Sequence, residues 1–499
     1  MTMIARTWRA VTIAVAAGGM LAGCAVGPNF HKPKAPDVSG YTPEPLPPAI
    51  ASAHSGEAAQ QLVMGADVNH EWWKLFGSPA LDTLVEQALK ANPDLAAAKA
   101  ALRQARQELY AGEGTFFPRV DGSFSNTREK INTTAFGGAA TSPPPFTLHN
   151  ASVNVAYAID LFGGTRRRLE ALRAQTEIVR FQTEAAYLTL TANVVTTAIQ
   201  EAAFRSQVAA TRDIVADDRH QLEIARRQEA VGAIAKAAVL AETAQVAAVE
   251  ATLPTLEKQL SQQDNALAAL AGRFPVEGPP ATIDLAALTA PETLPVSLPS
   301  QLVAQRPDVR AAEAALHVAS ANVGVATANL LPQINLTASY GSTARDIDRL
   351  FSAGSTVWSY GAQVIQPIFH GGELIHERKA AVAAYDQAAA QYRSTVLTAF
   401  RNVADTLRAL QSDTDTLKAQ SVAARAAADS LAIAKQQYSA GAISIALLLD
   451  AQRANQQARV ALVSAEATRY ADTVALFVAL GGGWWNRPGD LAARTDSTK

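Results

Sequence analysis

The chain has 499 residues, 48% of them hydrophobic and 18% charged, with 43 basic against 45 acidic side chains and a formal net charge of −2. That length admits several domains, and the near-balanced charge gives no footing for nucleic-acid binding. The single cysteine, Cys24, excludes an intrachain disulfide.

Arg6 and Arg9 form a short basic region, followed by an apolar run over residues 10–20 and then Leu21-Ala22-Gly23-Cys24. The run is too short to span a bilayer as a mature helix and has the shape of a secretory signal. Residues 1–23 are read as a signal peptide; its removal takes Arg6 and Arg9 and no acid, moving the formal charge from −2 to −4. Leu-Ala-Gly-Cys resembles a bacterial lipobox, which implies a covalent lipid on Cys24 as the new N-terminus. By resemblance to lipoproteins generally, Ala25 in place of Asp favours the outer membrane over the inner.

Residues 24–70, rich in proline and small side chains, read as a lipidated, extended tether. Trp72 and Trp73 open the packed part and are expected to bury for area. Residues 81–90 and 94–112 read as short helices split by Pro93. Strand signals follow near 119–131 and 147–162, where Val153, Val155, Tyr157 and Ile159 alternate with Ser152, Asn154, Ala156 and Ala158. Residues 165–231 then contain no Gly or Pro, and Leu169, Leu172, Thr176, Val179, Thr183, Ala186 and Leu190 step by three and four. That seam belongs to a long helix packed lengthwise on another. The chain turns at Gly232 and returns over residues 234–271.

A proline-punctuated linker, 275–299, leads to a second passage of the same kind. It has short helices at 300–305 and 308–328, strands near 333–345 and 356–369, and a second Gly- and Pro-free stretch at 373–440. There Val396, Phe400, Val403, Leu407, Leu410, Thr414 and Leu417 mark the seam. The chain turns at Gly441 and returns over 443–480; residues 484–499 read as a tail. Pro93 and Pro307, and Pro118 and Pro332, are related by a shift of 214, while Gly163 and Gly371, Gly232 and Gly441, and Gly272 and Gly482 are related by 208, 209 and 210. Ordered markers at nearly one shift indicate a duplicated unit. The first repeat is placed at 71–274 with its hairpin at 165–272, the second at 300–483 with its hairpin at 373–481.

Each strand run approaches the roughly 9–11 residues of a tilted membrane-crossing strand, apolar and aromatic on one face, small and polar on the other. A soluble sandwich alternates in the same way. The signal sequence, the polar loops at 132–145 and 344–355 and the absence of other strand signals favour an outer-membrane barrel. Four strands cannot close around a pore, and open edges are not tolerated in lipid, so the barrel reading requires an obligate oligomer. His370, Glu373, His376 and Glu377 are the only compact set of metal-ligand types, without H-E-x-x-H and beside a Gly pair, and read as a solvated junction. No nucleophile elbow, phosphate loop or C-x-x-C is present, so no enzyme is expected. The long charged helices also suit a coiled-coil adaptor or scaffold lipoprotein without a pore.

Cys24-Ala25-Val26-Gly27-Pro28, Trp72-Trp73, Arg306-Pro307-Asp308-Val309, the paired Gly turns, and Gln437-Tyr438 through Leu449-Asp450-Ala451-Gln452-Arg453 resemble the TolC superfamily. Within it they resemble the lipoprotein outer-membrane factors of RND-type efflux systems, the OprM-like NodT family. The resemblance implies an α+β membrane protein and a homotrimer: four strands per protomer in a 12-stranded barrel, and long hairpins in a periplasmic α-barrel. It implies a passive exit channel for drugs or other small toxic compounds, with a periplasmic adaptor, an inner-membrane RND-type transporter and outer-membrane lipid as partners, and no cofactor beyond the lipid. It further implies adaptor docking at the turns Gly232-Ala233 and Gly441-Ala442, and a periplasmic gate of Tyr438, Asp450 and Arg453. The position four before Asp450, often bulky and apolar in the family, is Ala446 here. Beyond residue 23 the sulfur side chains are Met64 and Cys24, which favours organic substrates over soft metals.

Overall fold

The computed structural model describes residues 25–44, 49–50, 59–130, 144–278 and 281–488. Cys24, the signal segment 1–23 and most of the loop at 132–145 lie outside these residues. In chain order the elements are β1 (Ala49–Ile50), β2 (Gln60–Met64), α1 (Pro79–Ala91), α2 (Pro93–Glu113), β3 (Arg119–Glu129), β4 (Phe146–Ile159), α3 (Gly164–Ala230), α4 (Lys236–Glu250), α5 (Leu253–Leu270), β5 (Thr293–Val296), α6 (Pro299–Gln305), α7 (Pro307–Ala328), β6 (Gln333–Ala344), β7 (Thr356–Ile365), α8 (Glu373–Ser439) and α9 (Ile445–Ala479). No helix among the described residues is long and apolar enough to cross a membrane.

The chain divides into two compact units. The first comprises Met1–Pro33, Arg103–Ile178 and Ala312–Tyr392; the second comprises Lys34–Leu102, Val179–Ala311 and Arg393–Lys499. In the first unit β3, β4, β6 and β7 form one antiparallel sheet in that order. Where β4 ends, Asp160 starts α3. Its carboxylate accepts from the backbone N–H of Thr165 and of Arg166, both at 2.9 Å, satisfying donors the first helical turn leaves open.

In the second unit Trp72, Trp73 and Phe76 are wholly buried, with Trp72 stacked on Phe477 at 5.4 Å. The residue before each helix-breaking proline holds the end of a returning helix. The Asn92 amide donates to the Leu270 carbonyl at 3.0 Å. Arg306 donates to the Ala479 carbonyl at 2.9 Å and forks onto Asp308 at 2.9 and 2.6 Å. The seams follow from period. Leu169, Thr176, Thr183 and Leu190 are buried along α3, and Val396, Val403, Leu407, Leu410, Thr414 and Leu417 along α8. The seam threonines return their hydroxyls to carbonyls one turn back, so no donor is stranded.

The structure departs from the sequence reading in three places. The return of the first hairpin is broken into α4 and α5, because Pro254 lacks an N–H and its ring conflicts with the carbonyl of Glu250. The proline-rich tether and linker are not strand-free. β2 pairs parallel with β5 and antiparallel with β1, in segments too short to display alternation. The tail is packed at its start: Trp484 and Trp485 are buried, donating to the Gln305 carbonyl at 2.7 Å and to Asp67 at 2.8 Å.

Candidate functional site

The sheet of the first unit sorts its side chains by face. Register places Val120, Val155, Ala338 and Tyr360 in one row, and Gly122, Val153, Tyr340 and Trp358 in the next. Phe124, Tyr340, Trp358, Tyr360 and Val364 are exposed, and Trp358 stacks on Tyr360 at 5.8 Å. The opposite face carries the row Asp121, Asn154, Ser339 and Ser359. There Ser123 and Ser152 share a 2.9 Å hydrogen bond and the Asn154 amide donates to Ser123 at 3.0 Å. Among the described residues β3 and β7 each pair on one side only, so two strand edges stand open beside an exposed apolar face. Water does not favour that surface; lipid does.

The second unit carries the residues singled out at the hairpin turns. Gly232 and Gly441 have φ of 74° and 71°, and no atom lies within 4 Å of a Cβ built on either. The left-handed backbone, not space, demands glycine there. Ala233 donates to the Gln228 carbonyl and Gly232 to that of Glu229, both at 2.8 Å; Ala442 donates to Gln437 at 2.8 Å and Gly441 to Tyr438 at 2.9 Å. Both long helices thus close by the same paired 6→1 and 5→2 bonds.

Asp450 and Arg453 meet at 3.3 Å, and Arg453 also donates to the Gln245 side chain of α4 at 2.9 Å. Both charges are largely exposed, so the pair contributes about 0–1 kcal/mol. The Tyr438 hydroxyl bonds to neither. It is buried without a hydrogen-bond partner among the described residues, and burial, with Glu242 adding, raises its pKa. Ala446 is exposed; the large apolar side chain exposed beside it is Leu447.

Sequence reasoning missed the buried polar groups beside these residues. Asp218, Glu242 and Gln452 are 2%, 1% and 3% exposed. One oxygen of Asp218, both of Glu242 and both polar atoms of the Gln452 amide have no hydrogen-bond partner among the described residues. Burial pushes the Asp218 carboxyl up to about 6, with Lys435 opposing and Asp217 adding. Burial also raises Glu242; the Gln452 amide, beside it but outside hydrogen-bond geometry, opposes and Asp218 adds. The signal was present. Asp218 falls between Ile214 and Leu222, and Glu242 between Val239 and Val246, at seam steps otherwise filled by apolar residues. Among the described residues no three His, Cys, Asp or Glu side chains converge as metal ligands.

The model of the outer membrane efflux protein family matches residues 84–273 and 298–482. The probable efflux pump outer membrane protein TtgC of Pseudomonas putida is 30% identical over 475 residues, covering 94% of this chain and 95% of that protein. The pyoverdine export outer membrane protein OpmQ of Pseudomonas aeruginosa is 30% identical over 463 residues, covering 91% and 96%. Among solved structures, the outer-membrane channel OprN superposes with a TM-score of 0.82 at 28% identity, covering 92% of this chain and all of that one. The MtrE outer membrane channel of Neisseria gonorrhoeae superposes with a TM-score of 0.78 at 25% identity, covering 92% and 98%. A poreless adaptor has no place among such relatives. Matched over most of its length in both passages, this chain belongs to the outer membrane efflux protein family, the TolC-like outer-membrane factors, and is an efflux channel of the outer membrane.

Proposed function

We propose that three copies join β7 of one protomer to β3 of the next, closing twelve strands into a barrel with the apolar face toward lipid. The observation that carries this is the four-stranded sheet with two open edges and an exposed aromatic face. Lipid tolerates no unpaired edge, and four strands cannot surround a lumen. The hydroxyl- and amide-bearing face then lines the water-filled interior. Cys24 carries the lipid, and residues 71–274 and 300–483 act as the duplicated repeats. The turns at Gly232-Ala233 and Gly441-Ala442 receive a periplasmic adaptor coupled to an RND-type inner-membrane transporter. The cargo is small organic compounds: the names of the relatives speak of toluene, solvents, antibiotics and pyoverdine, and Met64 is the only thioether beyond residue 23.

Asp450, Arg453 and Tyr438 form the closure. Three copies of Asp450 around one axis repel, and Arg453 at 3.3 Å supplies the compensating charge. The purified protein should run on unboiled gels as a β-rich oligomer that heat converts to protomers. In planar bilayers, Asp450→Ala with Arg453→Ala should raise resting conductance and weaken block by multivalent cations. Conductance equal to the parent, with oligomers intact, would place the constriction elsewhere. A helical species with no heat-modifiable band would remove the barrel.

A further inference from the structure

Arg167, in the first turn of α3, is only 4% exposed. A buried guanidinium is tolerable when its nitrogens find acceptors, and here all three do. One bond goes to Glu170 at 2.7 Å. The others go to the segment that follows Cys24: Nε to the Val26 carbonyl at 3.1 Å, and Nη2 to Asn29 Oδ1 at 2.7 Å and to the carbonyls of Ala25 and Gly27 at 3.4 Å. Backbone carbonyls dominate this set, so Arg167 reads the path of the segment more than its side chains.

The surroundings are shaped for the same segment. Val26 N–H donates to the Phe162 carbonyl at 3.0 Å, beyond the end of β4. Phe30 stacks on His317 of α7 at 4.2 Å and 11°. His317 meets Glu170 at 2.8 Å and Lys32 meets Glu313 at 3.2 Å. Gly324 lies within the unbroken α7, where glycine costs about 1 kcal/mol relative to alanine. Its reason is steric: a Cβ there would approach Arg167 Cγ to 2.8 Å, and a Cβ on Gly27 would approach Gly324 Cα to 2.4 Å.

We propose that residues 25–32 are a docked strap and that Arg167 and Gly324 are its receptor, fixing the chain beside its lipid attachment point against the junction of β4 and α3. The duplicated sequence offers a comparison. At the shift of 208, Arg167 corresponds to Ile375 and Glu170 to Arg378; at 214, Gly324 corresponds to Tyr110, His317 to Arg103 and Glu313 to Lys99. The equivalent positions hold no buried reader of carbonyls, no glycine gap and no acid for Lys32. One strap leaves each N-terminus, and one site of the pair is built for it. The lipid anchor then pulls on the strand-to-helix junction and is no longer a loose leash.

This inference rests on the lipidated-channel reading for its purpose but not for its geometry, and the test separates the two. A spin label on His31→Cys in the full-length, membrane-inserted protein reads the strap directly. It should move with the protein frame in the Arg167-bearing chain and with the nanosecond freedom of a loose terminus in Arg167→Gln. An immobile label in Arg167→Gln overturns the receptor. The second readout is a cycle between Arg167→Gln and Cys24→Ser, followed as the temperature at which the oligomer dissociates on gels. If the strap transmits the anchor, each single change lowers that temperature and the double change lowers it no further; fully additive losses overturn the coupling. Fatty-acid labelling of the same samples checks Cys24 separately: no label on the parent refutes lipidation while the spin-label arm still reads docking. Should Arg167→Gln fail to fold, Asn29→Ala with Phe30→Ala releases the strap from its own side and carries the same expectations.

Discussion

Asp218 is the sharpest single-residue case. A carboxyl in the packed seam of α3 cannot ionise cheaply, and its pKa stands at about 6, above the ordinary range near 3.9. The native state therefore holds a proton that the unfolded chain releases at lower pH. Its contribution is fully present below about pH 4 and is lost as pH rises through about 6. Asp218→Asn keeps the shape and removes the titration, so its thermal midpoint should gain on the parent's between pH 4 and 7. Midpoints that stay parallel across that range would show that Asp218 is solvated in the assembled protein. A second buried arrangement has its own compensation. Burial and the neighbouring Asp472 raise the Asp413 carboxyl, against Arg469. Arg469, itself buried, holds the Leu410 carbonyl at 2.7 Å and the Gln60 side chain.

The elements show which parts of the chain announce themselves. Asp160 ends a strand and caps a helix with both carboxylate oxygens. Asp160→Ala should cost about 1 kcal/mol, read as a lower thermal midpoint, and Asp160→Asn should recover most of it; equal losses in both would point to the Arg166 ion pair at 3.2 Å instead. α3, α8 and the four long strands were legible because period repeats over many residues: Leu169 to Leu190 for the helix, Val153 to Ile159 for the strand. β2 and β5 were not, since a strand paired for four residues shows no period and β5 contains Pro295. The break after Glu250 was written in Pro254 and was outweighed by the pattern on either side. At the candidate gate, spacing placed Asp450 and Arg453 together, as they are. Nothing local in sequence said that the Tyr438 hydroxyl is buried within reach of the Glu242 charge, because that residue belongs to a helix almost 200 positions earlier.

For the whole molecule, the open edges decide how the protomer exists. Adjacent residues on a strand aim their N–H groups to opposite sides, so Trp358→Pro and Ser359→Pro form a matched pair on β7. Thr343 donates to the Ser355 carbonyl in the β6–β7 register, so by alternation Ser359→Pro removes a bond to β6, whereas Trp358→Pro removes only a donor from the open edge. Trp358→Pro should fold as a protomer with native helical content yet yield no heat-stable oligomer. Equal oligomer yield from both would show that β7 is not a joining edge.

The unpaired edge also makes the channel vulnerable to its own defective siblings. The proposed ring of three, closed by identical joints, has no redundancy: one subunit with a blocked β7 would spoil the two sound ones beside it. With equal expression of blocked and intact chains and random mixing, about one ring in eight would contain only intact subunits. Such an allele should therefore be dominant. Cells carrying both copies should lose most of their efflux through this channel, while a null allele of the same gene would leave half the dose of working channels.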